Sequence, residues 1–158
     1  MIVKNLITYD VVQFKIPSMV VAFSHCSFKC EKEYNCNCQN KSLAESTSID
    51  ISYDDILKAY ANSKMCKALV LGGLEPFDDF EDVFELVLLF RRYYNDPIVI
   101  YTGYNEDEIE DKIKRISNCR NIIVKFGRFI PNQKSHYDKV LGVRLASDNQ
   151  YAKYISPK

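Results

Sequence analysis

Short, largely apolar runs recur along the chain at Met19 to Ser24, Ala68 to Leu71, Ile98 to Tyr101 and Asn121 to Phe126. Each lacks the in–out alternation of a half-exposed strand, so each predicts a strand covered on both faces. Between them the apolar positions switch to helical spacing. Ser52 stands ahead of Asp54 and Asp55 and predicts a capped helix through about Asn62, with Ile56, Leu57 and Tyr60 facing inward. Asp78 and Asp79 open the longest predicted helix, running to about Tyr94 on a stripe of Val83, Leu86, Val87 and Phe90. Asn105 caps a third helix whose acidic first turn, Glu106 to Glu108, complements the helix dipole. Its inner face is Ile109, Ile113 and Ile116. Thr8 to Lys15 alternates loosely and stops at Pro17, as an edge strand or hairpin arm does. Beyond Gly127 the pattern is irregular, and only Val140 to Leu145 reads as a strand.

Apolar strands alternating with helices imply an α/β fold with a mainly parallel sheet covered by helices. Four such strands do not close an eight-stranded barrel, so an open or partial βα barrel is expected. The 158 residues, 47% of them hydrophobic, suit a single domain over 1–158. Lysine plus arginine balances aspartate plus glutamate at 21 each, which gives no long-range steering toward nucleic acid. The opening residues MIVKNLITYD do not read as a signal peptide, and no apolar run approaches the ~20 residues of a membrane helix. The expectation is a cytoplasmic protein with reduced thiols and no membrane contact.

Chemistry concentrates in one loop. His25 to Asn40 reads HCSFKCEKEYNCNCQN and follows directly on the first core strand. It holds Cys26, Cys30, Cys36 and Cys38, four of the six cysteines. Thiolates this close in sequence converge on a metal at little loop-closure cost. A closed zinc site takes four ligands, and so does an ordinary iron–sulfur cluster, so the count leaves both open. Cys66 and Cys119 stand apart and read as buried small hydrophobes. Two further strand ends share the rim with this loop. Gly72-Gly73 closes the second core strand, and Thr102-Gly103 closes the third. Paired glycines make a tight turn or let a ligand approach the backbone. His25 is a loop side chain with a possible role beside the metal. His136 lies in a polar stretch after Pro131 and is expected in solvent. Lys112, Lys114, Arg115 and Arg120 read as a solvated face, Tyr93-Tyr94 as packing at a helix end, and Asn149-Gln150 as amides orienting a strand end.

Together these residues resemble a known family. Cys26-Ser-Phe-Lys-Cys30 with the later Cys38-Gln39-Asn40 resembles the cluster loop of radical SAM enzymes. Gly72-Gly73-Leu74-Glu75-Pro76 resembles their Gly-Gly-Glu-Pro element, with Leu74 inserted. IVIYTGY at Ile98 to Tyr104 and Ala146 to Gln150 are similar to the activating proteins of anaerobic (class III) ribonucleotide reductases. The resemblance spans about Pro17 to Gln150. It implies a 4Fe-4S cluster held by Cys26, Cys30 and Cys38, with Cys36 as the alternative third ligand. It implies cosubstrate contacts to S-adenosyl-L-methionine from Gly72, Gly73, Glu75, Thr102 and Gly103. The implied activity is reductive cleavage of that cosubstrate and formation of a glycyl radical on a large reductase subunit. An electron donor such as flavodoxin is implied as a second partner. The usual loop is Cys-x3-Cys-x2-Cys, whereas seven residues separate Cys30 from Cys38 here and five separate it from Cys36. Cys38 is preferred because Cys-Gln-Asn mirrors the family's Cys-His-Asn. Asn37 replaces the aromatic residue that lies against adenine, leaving Tyr34 or Phe28 to substitute. If Cys36 and Cys38 both ligate, no iron stays open and the protein is a closed zinc or iron–sulfur module. Activation of another glycyl-radical enzyme, or modification of a small molecule, is the other alternative.

Overall fold

The computed structural model describes residues 1–158. Nine strands and five helices follow one another along the chain. The first half holds β1 (Ile2–Asp10), β2 (Ser18–Phe23), α1 (Lys29–Tyr34), α2 (Lys41–Glu45), β3 (Ile49–Asp50), α3 (Tyr53–Asn62) and β4 (Leu69–Gly73). Then come α4 (Phe80–Arg91), β5 (Ile98–Tyr101), α5 (Glu110–Ile116), β6 (Ile122–Phe126), β7 (His136–Asp138), β8 (Val143–Leu145) and β9 (Tyr151–Tyr154). Short 3-10 turns at Pro76–Asp79 and Glu106–Glu108 lead into α4 and α5.

The main sheet has the order β3-β1-β2-β4-β5-β6-β9 and does not close. Its centre, β2-β4-β5-β6, is parallel throughout. β1 and β9 flank that centre antiparallel, and β3 pairs antiparallel with β1. This is a mixed α/β domain with a parallel heart and no closed barrel. The four central strands are those that the apolar runs predict, and their side chains are buried on both faces. Ser52 caps α3 by accepting from the Asp55 amide. Asn105 and Glu108 form a reciprocal capping box ahead of α5.

The two faces of the sheet are covered unequally. Beneath α3, α4 and α5 lies a cluster of 23 buried residues, built from Met19, Leu71, Ile98 and Val124 against Ile56, Leu86 and Phe90. The opposite face has a cluster of only 9, where Val20, Val70, Val99 and Ile123 meet Phe14, Leu141 and Leu145. The smaller cover leaves the carboxyl ends of the central strands accessible on that side.

Several expectations are corrected. The first strand is Ile2–Asp10, not Thr8 to Lys15. The Asp10 carboxylate accepts from the amides of Val12 and Gln13, which turns the chain out of the sheet and leaves Val11 and Val12 exposed. The last predicted strand shrinks to Val143–Leu145 and pairs with His136–Asp138 in a separate hairpin. Gly142, at φ +73°, and the Asp138 carboxylate, which accepts from Val140 and Leu141, make its turn. His136 is therefore not out in solvent, because its Nδ1 is buried and lacks a partner. The long helix begins as the 3-10 turn at Pro76, since proline fixes φ and supplies no amide to an α-helical ladder. It ends at Arg91, with Tyr94 packed edge-on against Tyr60 and Tyr93 exposed. The basic face of α5 is partly engaged, with Lys112 donating to the Phe77 carbonyl and Arg115 paired with Glu81.

Candidate metal centre

β2 ends at Phe23, and the cysteine loop leaves from there along the rim of the sheet. A cavity of about 420 Å³ lies under that rim. Its floor is one row across the strands, Ala22, Gly72, Tyr101 and Lys125, in register Ala22 to Gly72 and Tyr101 to Lys125. Cys26, Cys30 and Cys38 line its wall, and Cys36 does not. The Cys36 thiol instead donates to the Cys30 carbonyl at 3.5 Å. The Cys38 segment is held from both sides. The Cys38 amide donates to Glu31 at 2.7 Å, and Asn40 donates through Nδ2 to the Gly73 carbonyl at 2.8 Å. Asn40, part of the Cys-Gln-Asn triplet, thus ties the cysteine loop to the end of β4.

Burial and the neighbouring acids both act on these thiols. Burial pushes Cys26 up to about 11, with Glu75 and Asp78 adding to the rise and the Phe28 amide opposing it. Burial and then the neighbouring Cys38 raise Cys30 as well. A bound metal reverses that field, because its positive charge favours the thiolate that burial penalises. No three His, Cys, Asp or Glu side chains converge in the geometry of a single bound ion. A four-iron cubane takes one thiolate per iron, so its ligands need not meet at one point. Three thiols along one cavity wall are the donor type that such a cluster takes.

The glycines divide the work. Gly73 has φ +88°, and a Cβ there would lie 2.8 Å from Ala22 Cα and Phe23 N. Its close approach is to β2, and it serves the turn. At Gly72 the nearest atom to a Cβ is Tyr101 Cβ at 3.8 Å, so the backbone there is open to the cavity. Glu75 is buried with every oxygen occupied. Oε1 accepts from Thr102 Oγ1 at 2.7 Å and Phe77 N at 3.1 Å, and Oε2 accepts from Gly103 N at 2.8 Å. Burial pushes this carboxyl up to about 7 against the pull of those bonds. Glu75, Thr102 and Gly103 form one knot joining the ends of β4 and β5.

Two residues of the site were not singled out from sequence. Lys125 is buried in the cavity floor and donates to the carbonyls of Gly127 at 2.8 Å and Thr102 at 3.4 Å. Burial pulls its ammonium down to about 8. A lysine inside an otherwise apolar strand is itself the signal. Arg128, also on the wall, binds Glu108 through two nitrogens and reaches Glu33 of α1 at 3.4 Å. No local pattern marks it. The aromatic residues lining the cavity are Tyr101, Tyr104 and Phe129, and Phe28 and Tyr34 are not among its lining. Gln150 orients the far strand end as an amide, accepting from Ala146 and Ser147 and donating to the Gly127 carbonyl. No helix is long and apolar enough to cross a membrane.

A family model described as a 4Fe-4S single cluster domain matches residues 17–151. That span takes in the parallel centre, the cysteine loop and the whole rim. No curated protein and no solved structure matches the chain.

Proposed function

The chain belongs to the 4Fe-4S single cluster domain family and is an iron–sulfur protein, and from that premise we propose that it is a radical SAM activating enzyme. The open sheet is then a partial βα barrel of the radical SAM type. One observation carries the reading: Cys26, Cys30 and Cys38 line the same cavity as Gly72, Gly73, Thr102 and Gly103, and Cys36 lies outside it. Three thiolates on four irons leave one iron open to a cosubstrate, whereas a fourth would close the cluster. A bound, reduced cluster would supply the electron for reductive cleavage of S-adenosylmethionine, the chemistry that would generate a glycyl radical on a partner protein.

The protein's own part is binding, orientation and exclusion of water. Cys26, Cys30 and Cys38 would hold the cluster at the rim. The open backbone at Gly72 and the Thr102-Gly103 turn receive the methionyl end. Glu75 acts through Thr102 and Gly103, since its carboxylate is already filled by their donors. The partner is the large subunit of an anaerobic ribonucleoside-triphosphate reductase, which lays its glycine over the cavity mouth and supplies the lid that the open sheet lacks. A flavodoxin-type donor delivers the electron in the cytoplasm.

Anaerobic reconstitution followed by electron paramagnetic resonance of the reduced protein, with and without S-adenosylmethionine, tests the reading. A cluster signal that changes with cosubstrate, together with methionine and 5′-deoxyadenosine as products, is the expected result. A cluster signal indifferent to cosubstrate, or zinc in place of iron, would overturn it.

A further inference from the structure

The segment after Gly72-Gly73 does more than turn the chain. The amides of Leu74 and Glu75 donate to the carbonyls of Phe23 at 3.2 Å and His25 at 2.8 Å, so the segment runs beside the start of the cysteine loop. Its 3-10 turn then presents two consecutive carboxylates to that loop. Asp78 Oδ2 accepts from the Ser27 amide at 2.7 Å. Asp79 Oδ1 meets His25 Nδ1 at 2.6 Å. Cys26 lies between these two clasped residues. The amide that Asp78 holds belongs to the peptide joining Cys26 to Ser27, so the clasp fixes one of the cysteine's own backbone bonds.

Asp79 has the His25 imidazole as its partner, whereas Asp78 has no cationic one. The other oxygen of Asp78 accepts from the Tyr104 hydroxyl at 2.6 Å. Both of its partners, an amide and a phenol, are uncharged. Two lysines nearby are engaged elsewhere. Lys29 pairs with Glu108 and lies 4.5 Å over the Tyr104 ring, and Lys112 donates to the Phe77 carbonyl. A carboxylate without a cationic partner opposes the arrival of an electron at a cluster next to it. Hydrogen-bonded groups behind a ligand also decide how firmly that ligand is aimed.

We propose that Asp78 is a positioning residue that presets Cys26 for the cluster and, by its charge, holds the cluster's reduction potential low. Asp79 completes the clasp through His25. The proposal rests on the reading of Cys26 as a cluster ligand and on no other part of the proposed activity. It gives the acidic pair after Glu75-Pro76 a task that does not involve touching the cosubstrate.

The test is a redox titration of the anaerobically reconstituted protein followed by electron paramagnetic resonance, with iron content measured in parallel. In D78N the amide accepts from Ser27 and donates to the Tyr104 oxygen, so the clasp stays and only the charge goes. The expected result is wild-type iron content with a midpoint potential shifted to more positive values. Y104F keeps the charge and should keep the wild-type midpoint, as should D111N, which removes an exposed charge on α5. D78A should lose iron to a chelator several-fold faster than wild type, and D78N should restore retention. A fully loaded D78N at the wild-type midpoint overturns the electrostatic role. Equal iron retention in wild type and D78A overturns the positioning role. Should D78N fail to fold by circular dichroism, D78S repeats the charge test, and an unmoved midpoint there overturns the electrostatic role. C26A distinguishes the premise: a full cluster with the wild-type signal in that variant would show that Cys26 is no ligand, and the site reading would fall first.

Discussion

At the scale of single residues, Cys36 and Cys38, and likewise Gly72 and Gly73, are near neighbours with different tasks. Cys38 lines the cavity, and Cys36 bonds to the Cys30 carbonyl outside it. Cys36→Ala should therefore keep the iron content and cosubstrate turnover of the wild type, whereas Cys38→Ala should abolish both. Iron and sulfide analysis with 5′-deoxyadenosine release measures the pair, and the reverse pattern would make Cys36 the third ligand. The glycines divide in the same way. Gly73→Ala puts a Cβ 2.8 Å from the β2 backbone at φ +88°, where no flexible neighbour can yield. Strain of this kind costs roughly 1–3 kcal/mol, which chemical denaturation should read as a loss of stability. Gly72→Ala meets nothing closer than 3.8 Å, so it should fold normally and lose affinity for S-adenosylmethionine in equilibrium binding. The sequence pattern placed both glycines on the rim, but their separate tasks depend on which strand passes alongside, and that is tertiary information. Glu75 shows the same boundary. Its motif marks it for ligand contact, yet Thr102, Gly103 and Phe77 occupy its oxygens from a strand end 27 and 28 residues away and from the next turn.

At the scale of elements, the cysteine loop is anchored to the far side of the sheet by a charged clamp. Arg128, just past β6, pairs with Glu108 ahead of α5 and with Glu33 on α1, while Lys29 of α1 also reaches Glu108. Arg128 holds the Glu108 carboxyl down to about 2 from an ordinary 4.5, with the Asn105 amide and Lys29 helping. A carboxyl whose folded value is depressed stabilises the fold fully above its unfolded value and loses that contribution as pH falls through the folded one. The clamp should therefore be intact above about pH 4.5 and fail on acidification toward pH 2. Thermal unfolding followed by circular dichroism, which suits a chain without tryptophan, should show that loss in wild type. In Glu108→Gln the contribution should already be missing at pH 7, and the acid slope should be shallower. An identical slope in both proteins would place the acid sensitivity elsewhere. The capping half of this arrangement is legible locally, since Asn105 and Glu108 stand three residues apart before an apolar stripe. Arg128 is not, because nothing near it in sequence announces carboxylates 20 residues upstream and on the cysteine helix. Strands follow the same rule. The unbroken apolar runs of β2, β4, β5 and β6 mark themselves, whereas β3 has two residues and β9 reads Tyr-Ala-Lys-Tyr, too short and too mixed to stand out from a turn.

At the scale of the whole molecule, stability and chemistry occupy different parts of the chain. The helical face of the sheet carries most of the buried core. Between Phe23 and Ile56 no residue is buried, and that interval contains the complete cysteine loop with α1 inside it, then α2 and β3. Ile51 and Tyr53 pack against the core at its far end, and the rest is held chiefly by polar ties: Asn40 to Gly73, Lys4 to the carbonyls of Ala44 and Ser46, the Asp78 and Asp79 clasp and the Arg128 clamp. Segments held this way open locally at a fraction of the global unfolding cost, because little apolar surface is exposed when they do. A cluster joining Cys26, Cys30 and Cys38 would cross-link the first part of that interval, and whatever binds only the closed form stabilises it. Trypsin should therefore cut the cluster-free protein first at Lys29, Lys32 or Lys41, leaving the segment from α3 onward intact. The same sites should be protected after anaerobic reconstitution, while cleavage elsewhere stays at its earlier rate. Mass spectrometry of timed digests separates the two forms. Protection spread evenly over the chain would mean that the metal supports the core as a structural ion does, and cutting at an unchanged rate within the interval would mean that the loop does not hold the cluster.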